Sequence, residues 1–244
     1  MFKSFLTALF AILFINIGFA QYNEEGAWQV KNGDTVHTVV LTDGYLSHSV
    51  FDINNKKFYS TRGGTYKLIN NKLEVTWQYD TEKTVAKLAP EQWLGTTTAF
   101  DVDMANGQVF SNVSGQNQQW IQTDKNNAPL AGVWRFYARK QNNNDDVKPS
   151  TLGDRRTLKI LTGNRFQWAA INIKTGEFFG TGGGTYSFND GKYTENIEFF
   201  SRNNDRVGAS LSFEGKIEDG KWHHFGNSSS GDPIYEVWSR IKED

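Results

Sequence analysis

The sequence predicts an all-β chain: a signal peptide, then two tandem copies of one antiparallel meander, each short enough to close into an up-and-down barrel. Three observations carry this. The chain contains a long internal repeat, it is rich in strand and turn residues, and no long segment shows the 3.6-residue apolar period of a helix. Of its 244 residues 14% are aromatic, 23 are glycine and none is cysteine. That composition favours strands and tight turns, and it removes disulfides and thiolate metal ligands from consideration.

The N-terminus reads as an export signal. Lys3 supplies a positive start, an apolar run from Phe5 to Phe19 follows, and Gly18-Phe19-Ala20 offers small residues at the two positions a signal peptidase inspects. Residues 1–20 are therefore expected to be removed before Gln21, leaving a secreted or periplasmic protein. The run is shorter than the roughly 20 apolar residues of a spanning helix, and no later stretch suits one. With 26 basic against 27 acidic residues the chain is close to neutral, which argues against nucleic acid or anionic lipid as the main partner.

A shift of 120 positions superimposes Leu41–Tyr66 on Leu161–Tyr186 without a gap. Leu41-Thr42 meets Leu161-Thr162, Ile53 meets Ile173, Phe58 meets Phe178, and Thr61-Arg62-Gly63-Gly64-Thr65-Tyr66 meets Thr181-Gly182-Gly183-Gly184-Thr185-Tyr186. Small gaps extend the match: Gly26-Ala27-Trp28 to Gly132-Val133-Trp134, Phe100 to Phe213, Asn106-Gly107 to Asp219-Gly220, and Trp120 to Trp238. The predicted organisation is a first β domain over residues 21–121, a polar linker over 122–129 (QTDKNNAP) and a second β domain over 130–244. Asn106-Gly107, Asp190-Gly191 and Asp219-Gly220 suit hairpin turns that need positive φ. Alternation places Tyr193, Glu195, Ile197 and Phe199 on one face of a strand, read as the interior. Such a meander hides its edges by packing two sheets or by closing into a barrel.

Gly-x-Trp on the first strand, the run of hairpins and the last strand Glu236-Val237-Trp238-Ser239-Arg240 resemble the lipocalin and fatty-acid-binding (calycin) pattern. The resemblance implies two tandem lipocalin-like barrels, with Trp134 packed at the closed end under Arg240. The first copy keeps Trp28 but has Gln122 in place of the arginine. Gly184-Thr185-Tyr186 followed by Tyr193-Thr194-Glu195 is similar to small secreted bacterial lipocalin-like proteins. The resemblance implies an association with polysaccharide degradation.

The duplication supplies an internal control, since residues that keep the fold recur in both copies. By that test Trp28/Trp134, Tyr66/Tyr186, Phe58/Phe178 and Trp120/Trp238 are packing residues first. Gly182-Gly183-Gly184 precedes a strand, not a helix, so it reads as a bulge and not as a phosphate loop. Unshared polar residues concentrate in the second copy: Glu195 replaces Val75, His223 and His224 replace Phe110 and Ser111, and Arg165 replaces Tyr45. A buried carboxylate needs a partner, so Glu195 is either held by a tyrosine or Arg240, or used chemically. The candidate acid/base set is Glu195, His224, Tyr193 and Tyr186. The candidate ligand-binding set is Arg165, Trp168, Arg202, Trp222 and His223, with His224 favoured over His223 for the interior. No His-x-His or His-Glu-x-x-His occurs, and Asp101-x-Asp103 has Ala105 where a calcium ligand would stand, so no metal is expected.

Two functions follow from an aromatic, amide-rich interior. One is an enzyme acting on oligosaccharides from polysaccharide breakdown, a dehydratase or lyase that eliminates next to a uronate carboxylate and needs no cofactor. The other is a non-catalytic barrel binding oligosaccharides or other small ligands.

Overall fold

The computed structural model describes residues 24–140, 147–227 and 231–241; the signal peptide read over residues 1–20 lies outside them. The first barrel runs β1 (Gly26–Asn32), β2 (Thr35–Thr42), β3 (Tyr45–Asp52), β4 (Lys57–Ile69), β5 (Lys72–Asp80), β6 (Thr97–Ala105), β7 (Gln108–Ser111) and β8 (Gln118–Lys125). A short helix α1 (Thr81–Val85), capped by Asp80, leaves β5. Each strand pairs antiparallel with the next, and β8 returns to β1 to close the barrel. The second barrel runs β9 (Gly132–Arg139), β10 (Lys148–Pro149), β11 (Arg155–Leu161), β12 (Arg165–Asn172), β13 (Phe178–Asn189), β14 (Lys192–Phe200), β15 (Ser210–Glu218), β16 (Lys221–Asn227) and β17 (Pro233–Arg240). It closes through β9 and β17, with β10 an added edge on β9. Both are eight-stranded antiparallel barrels of lipocalin-like form. Among the described residues no helix is long and apolar enough to cross a membrane.

The turn and bulge chemistry follows from the sequence. Asn106-Gly107, Asp190-Gly191 and Asp219-Gly220 all take positive φ at both residues, as two-residue hairpins require. Gly64 and Gly184 sit at equivalent bulges, where a Cβ would fall 1.9 and 2.0 Å from the carbonyls of Thr76 and Asn196 on the next strand. At the bulge in β14 Glu198 is the extra residue, and it reverses the alternation. Phe199 therefore faces outward and stacks on Phe51 of the other barrel at 4.7 Å, correcting its expected place beside Tyr193, Glu195 and Ile197. A second correction concerns the linker. β8 continues through Lys125 because Gln122, Asp124 and Lys125 pair with β1, so the connection begins only at Asn126.

The indoles of Trp28 and Trp134 donate to the carbonyls of Glu24 and Leu130, a shared closed end. Arg240 lies 4.4 Å from the centre of the Trp134 ring and donates to the carbonyls of Ala131 and Pro129. In the first barrel Gln122 replaces it and donates to Glu25 O.

The barrels pack wall to wall, and the seam is nearly self-complementary, as expected where two copies of one surface meet. Ser47 and Gln167, equivalent in the repeat, hydrogen-bond each other; the Gln167 amide also donates to Thr61 and Thr181, another equivalent pair, at 2.9 and 3.0 Å. Around this polar centre Val40, Tyr45, Tyr79, Val133, Leu158 and Ile160 form an apolar layer.

Candidate functional site

The interiors of the two barrels differ at matching positions. In the first, Val39, Val75, Val109, Ser111 and Trp120 meet Trp28, Leu41 and Leu73 around a residual void of about 50 Å³. In the second, the same registers hold Lys159, Glu195, Trp222, His224 and Trp238. The Lys159 ammonium bonds Glu195 Oε1 at 2.8 Å and lies 4.9, 4.9 and 5.4 Å from the ring centres of Tyr193, Trp222 and Trp238. Tyr193 donates its hydroxyl to the same carboxylate oxygen at 2.9 Å. Burial, then the Glu195 charge, hold the Tyr193 hydroxyl well above the usual phenol range, so it stays a donor. An ammonium this deep is tolerable because a carboxylate and three ring faces replace its water.

His224 is 2% exposed, with its ring among Tyr193, Phe213 and Trp222. Its Nδ1 stands 3.7 Å from Glu236 Oε2, within ion-pair reach but beyond a hydrogen bond, and neither ring nitrogen is hydrogen-bonded. Burial first, then the Lys159 charge, lower its pKa below the usual histidine value. Glu236 sits opposite His224 across the β16–β17 ladder and accepts from Arg139. Burial alone would raise its pKa; His224 and Arg139 overcome this and bring the carboxyl down to about 2.

Above this layer opens a cavity of about 390 Å³ lined by Phe136, Arg139, Thr157, Lys159, Trp168, Glu236 and Trp238. Its volume is that of a small-ligand pocket. Trp168 forms one wall, edge-on to Phe200, with the Arg202 guanidinium 5.7 Å from its ring centre. The position opposite Trp168 on β13 is Gly182, where a Cβ would fall 2.6 Å from the indole nitrogen. In the first barrel that position is Arg62. Its guanidinium fills the mouth, lying 4.9 Å from the Trp77 ring centre, donating to Val113 O at 2.6 Å and to His48 Nδ1 at 3.3 Å.

The sequence-predicted residues divide accordingly. Glu195, His224 and Tyr193 come together, but beneath the cavity floor and not along its walls. Tyr186 is buried, and its hydroxyl is committed to the carbonyl of Thr162 at 2.6 Å. Trp168 lines the cavity and Arg202 edges it, while Trp222 is fully buried beside Trp134. His223 points away from His224 and bonds the Tyr235 hydroxyl at 2.9 Å. Arg165 is displaced from the expected site: it lies on the outer wall and pairs with Glu198 at 2.6 Å, because it alternates with the inward-facing Phe166. Lys159, Glu236 and Arg139 were not anticipated. Lys159 had a sequence signal, replacing Val39 at the same 120-residue shift by which Glu195 replaces Val75.

These features define two lipocalin-like barrels in tandem, the second with a cavity of about 390 Å³ and the first with Arg62 at the matching position. Residues 129–244, the second barrel, match the family described as Domain of unknown function (DUF4488). No curated protein matches the chain.

Proposed function

We propose that this is an exported, carbohydrate-directed protein whose second barrel binds part of an oligosaccharide in the cavity between Trp168, Phe136 and Trp238. The observation that carries the reading is the composition of that cavity, aromatic walls beside an ionised carboxylate and two cations. Apolar sugar faces stack on aromatic rings, hydroxyls donate to Glu236, and ligand oxygens accept from Lys159 and Arg139. An aliphatic ligand would desolvate these charges without replacing their water. Export rests on the leader-like residues 1–20 and on the resemblance to secreted lipocalin-like proteins.

A dehydratase or lyase reaction is the second reading, favoured by the neutral imidazole of His224, free of hydrogen bonds, behind Glu236. The proton next to a uronate carboxylate would pass by way of Glu236, which lines the cavity 3.7 Å from His224, to that buried base. The C–O bond to the leaving group would break, the leaving oxygen taking a proton from solvent water, and a double bond conjugated with the carboxylate would form. Lys159 and Arg139 would offset the carboxylate charge; Glu195 serves by holding Lys159.

Calorimetric titration of the mature chain with oligosaccharides tests both. Saturable binding is expected, weakened at least tenfold, about 1.4 kcal/mol, by Trp168→Ala. Ultraviolet absorbance of a conjugated product, lost in His224→Gln, would select the elimination. Absence of saturable heat with every neutral and acidic oligosaccharide would end both readings.

A further inference from the structure

Outside the cavity, the wall formed by Phe136 and Thr157 continues into a second depression of about 370 Å³. Its lining includes Arg135, Arg155 and Arg156 beside Ser150, Thr151 and Gly153. Elsewhere in this barrel three arginines pair with carboxylates, Arg139 with Glu236, Arg165 with Glu198 and Arg240 with Asp43, while Arg202 donates to the carbonyl of Phe179. The three in the depression pair with no carboxylate among the described residues. Arg135 lies 5.9 Å from the Tyr137 ring centre, Arg155 lies 4.2 Å from that of Phe179, and Arg156 donates only to the carbonyl of Gly153. The first copy has Gln29, Thr35 and Val36 at the matching positions, so the barrel fold does not require the charges. Arg155, Thr157 and Lys159 share one face of β11, which sets cations at the mouth and at the floor of one continuous cleft.

We infer that this depression is an anion subsite, taking the charged group of the sugar unit next to the one held between Trp168 and Phe136. The ligand is then an acidic oligosaccharide, its carboxylate or sulfate ester received by forked guanidinium donors. This rests on the carbohydrate reading of the adjoining cavity. The two sources of the oxyanion share one chemistry and differ in the probe that carries it.

The experiment compares trigalacturonate, a sulfated galactose trisaccharide and neutral maltotriose on the mature protein, on the Arg155→Gln/Arg156→Gln variant and on Trp168→Ala. At least one acidic probe is expected to bind ten or more times tighter than maltotriose; whichever does identifies the group. The double variant should remove that advantage while leaving maltotriose affinity within twofold, and raised salt should erode the same advantage. Equal affinity for all three probes, or an acidic preference untouched by the double variant, overturns the subsite while leaving the cavity reading standing. An acidic preference that depends on the arginines but not on Trp168 sustains the subsite and overturns the stacking cavity.

Discussion

At four interior positions that share a register, the first barrel places Val39, Val75, Val109 and Ser111, and the second places Lys159, Glu195, Trp222 and His224. Apart from the added edge β10, the strand order and the bulge glycines Gly64 and Gly184 are alike. The first barrel closes with valine where the second buries an ion pair, so closure does not demand the pair. A buried ion pair is also a weak source of net stability, because desolvation cancels much of its attraction. Retaining charge at this depth makes sense when the charge serves a ligand. The first copy carries Arg62 at its mouth and packs against the second through the Ser47–Gln167 seam.

The sharpest way to break this comparison is to convert the second interior toward the first. Lys159→Met alone or Glu195→Gln alone strands one member of a pair whose side chains are 7% and 8% exposed. A loss of about 3–5 kcal/mol is expected. The double replacement Lys159→Val/Glu195→Val copies Val39 and Val75 and should recover most of that loss, while oligosaccharide binding disappears. Urea denaturation with calorimetry checks both parts. Single variants as mild as the double would show that the two charges are not coupled.

Next in size is the seam. Gln167→Ala removes the amide that joins Ser47, Ser49, Thr61 and Thr181, all buried. Each hydroxyl keeps a second partner, Tyr79, Thr61, the His48 carbonyl or the Trp168 carbonyl, so losing the four bonds to the amide should cost about 1–3 kcal/mol and separate the unfolding of the barrels. Differential scanning calorimetry should then resolve two transitions in place of one; a single unshifted transition would mean that the apolar layer alone couples them. A comparable or smaller cost, again about 1–3 kcal/mol, is expected for Arg62→Gly, which orphans the Val113 carbonyl. Its informative readout is binding. The variant uncovers the Trp77 and Phe100 rings above an uncharged floor of Val39 and Val75, so it should gain no oligosaccharide affinity, and a gain would assign the sugar preference to aromatic mouth rings and not to the charged floor.

Much of this architecture was legible because it is local. Asn-Gly and Asp-Gly dipeptides, paired glycines and Gly-x-Trp announce hairpins, bulges and a barrel end within a few residues, and the repeat doubles each signal. Burial of Glu195 and His224 followed from alternation and from comparison with Val75 and Ser111. What escaped was what only closure brings together. Lys159 meets Glu195 across 36 residues and three intervening ladders. Arg165 was misplaced because alternation shows which residues face out, but not that the outer wall is covered by another barrel. Phe199 was misplaced because one bulge residue, Glu198, inverts every face beyond it.

The smallest effect, a slope with pH, separates the barrels by their histidines. His48 and His224 are both held below the ordinary value of 6.5, by burial first and then by Arg62 beside His48 and Lys159 beside His224. His37 adds to the lowering at His48, whereas Glu236 and Glu195 partly oppose it at His224. Arg62 donates to His48 Nδ1, which leaves Nε2–H to donate to His37 at 3.2 Å, so the neutral ring is locked in place. A histidine whose folded pKa lies below its unfolded value takes up a proton on unfolding. Its stabilisation is therefore complete above about pH 6.5 and is lost as pH falls from there through the folded value. Each ring contributes a slope of at most about 1.4 kcal/mol per pH unit. Glu236, held at about 2, adds its own loss only below about pH 4.5. Between pH 6.5 and 5, urea midpoints should fall for the parent protein, less steeply in His224→Gln, and least in His48→Gln, whose pKa is the more strongly lowered. Equal slopes in all three proteins would mean that neither ring is held neutral by its barrel.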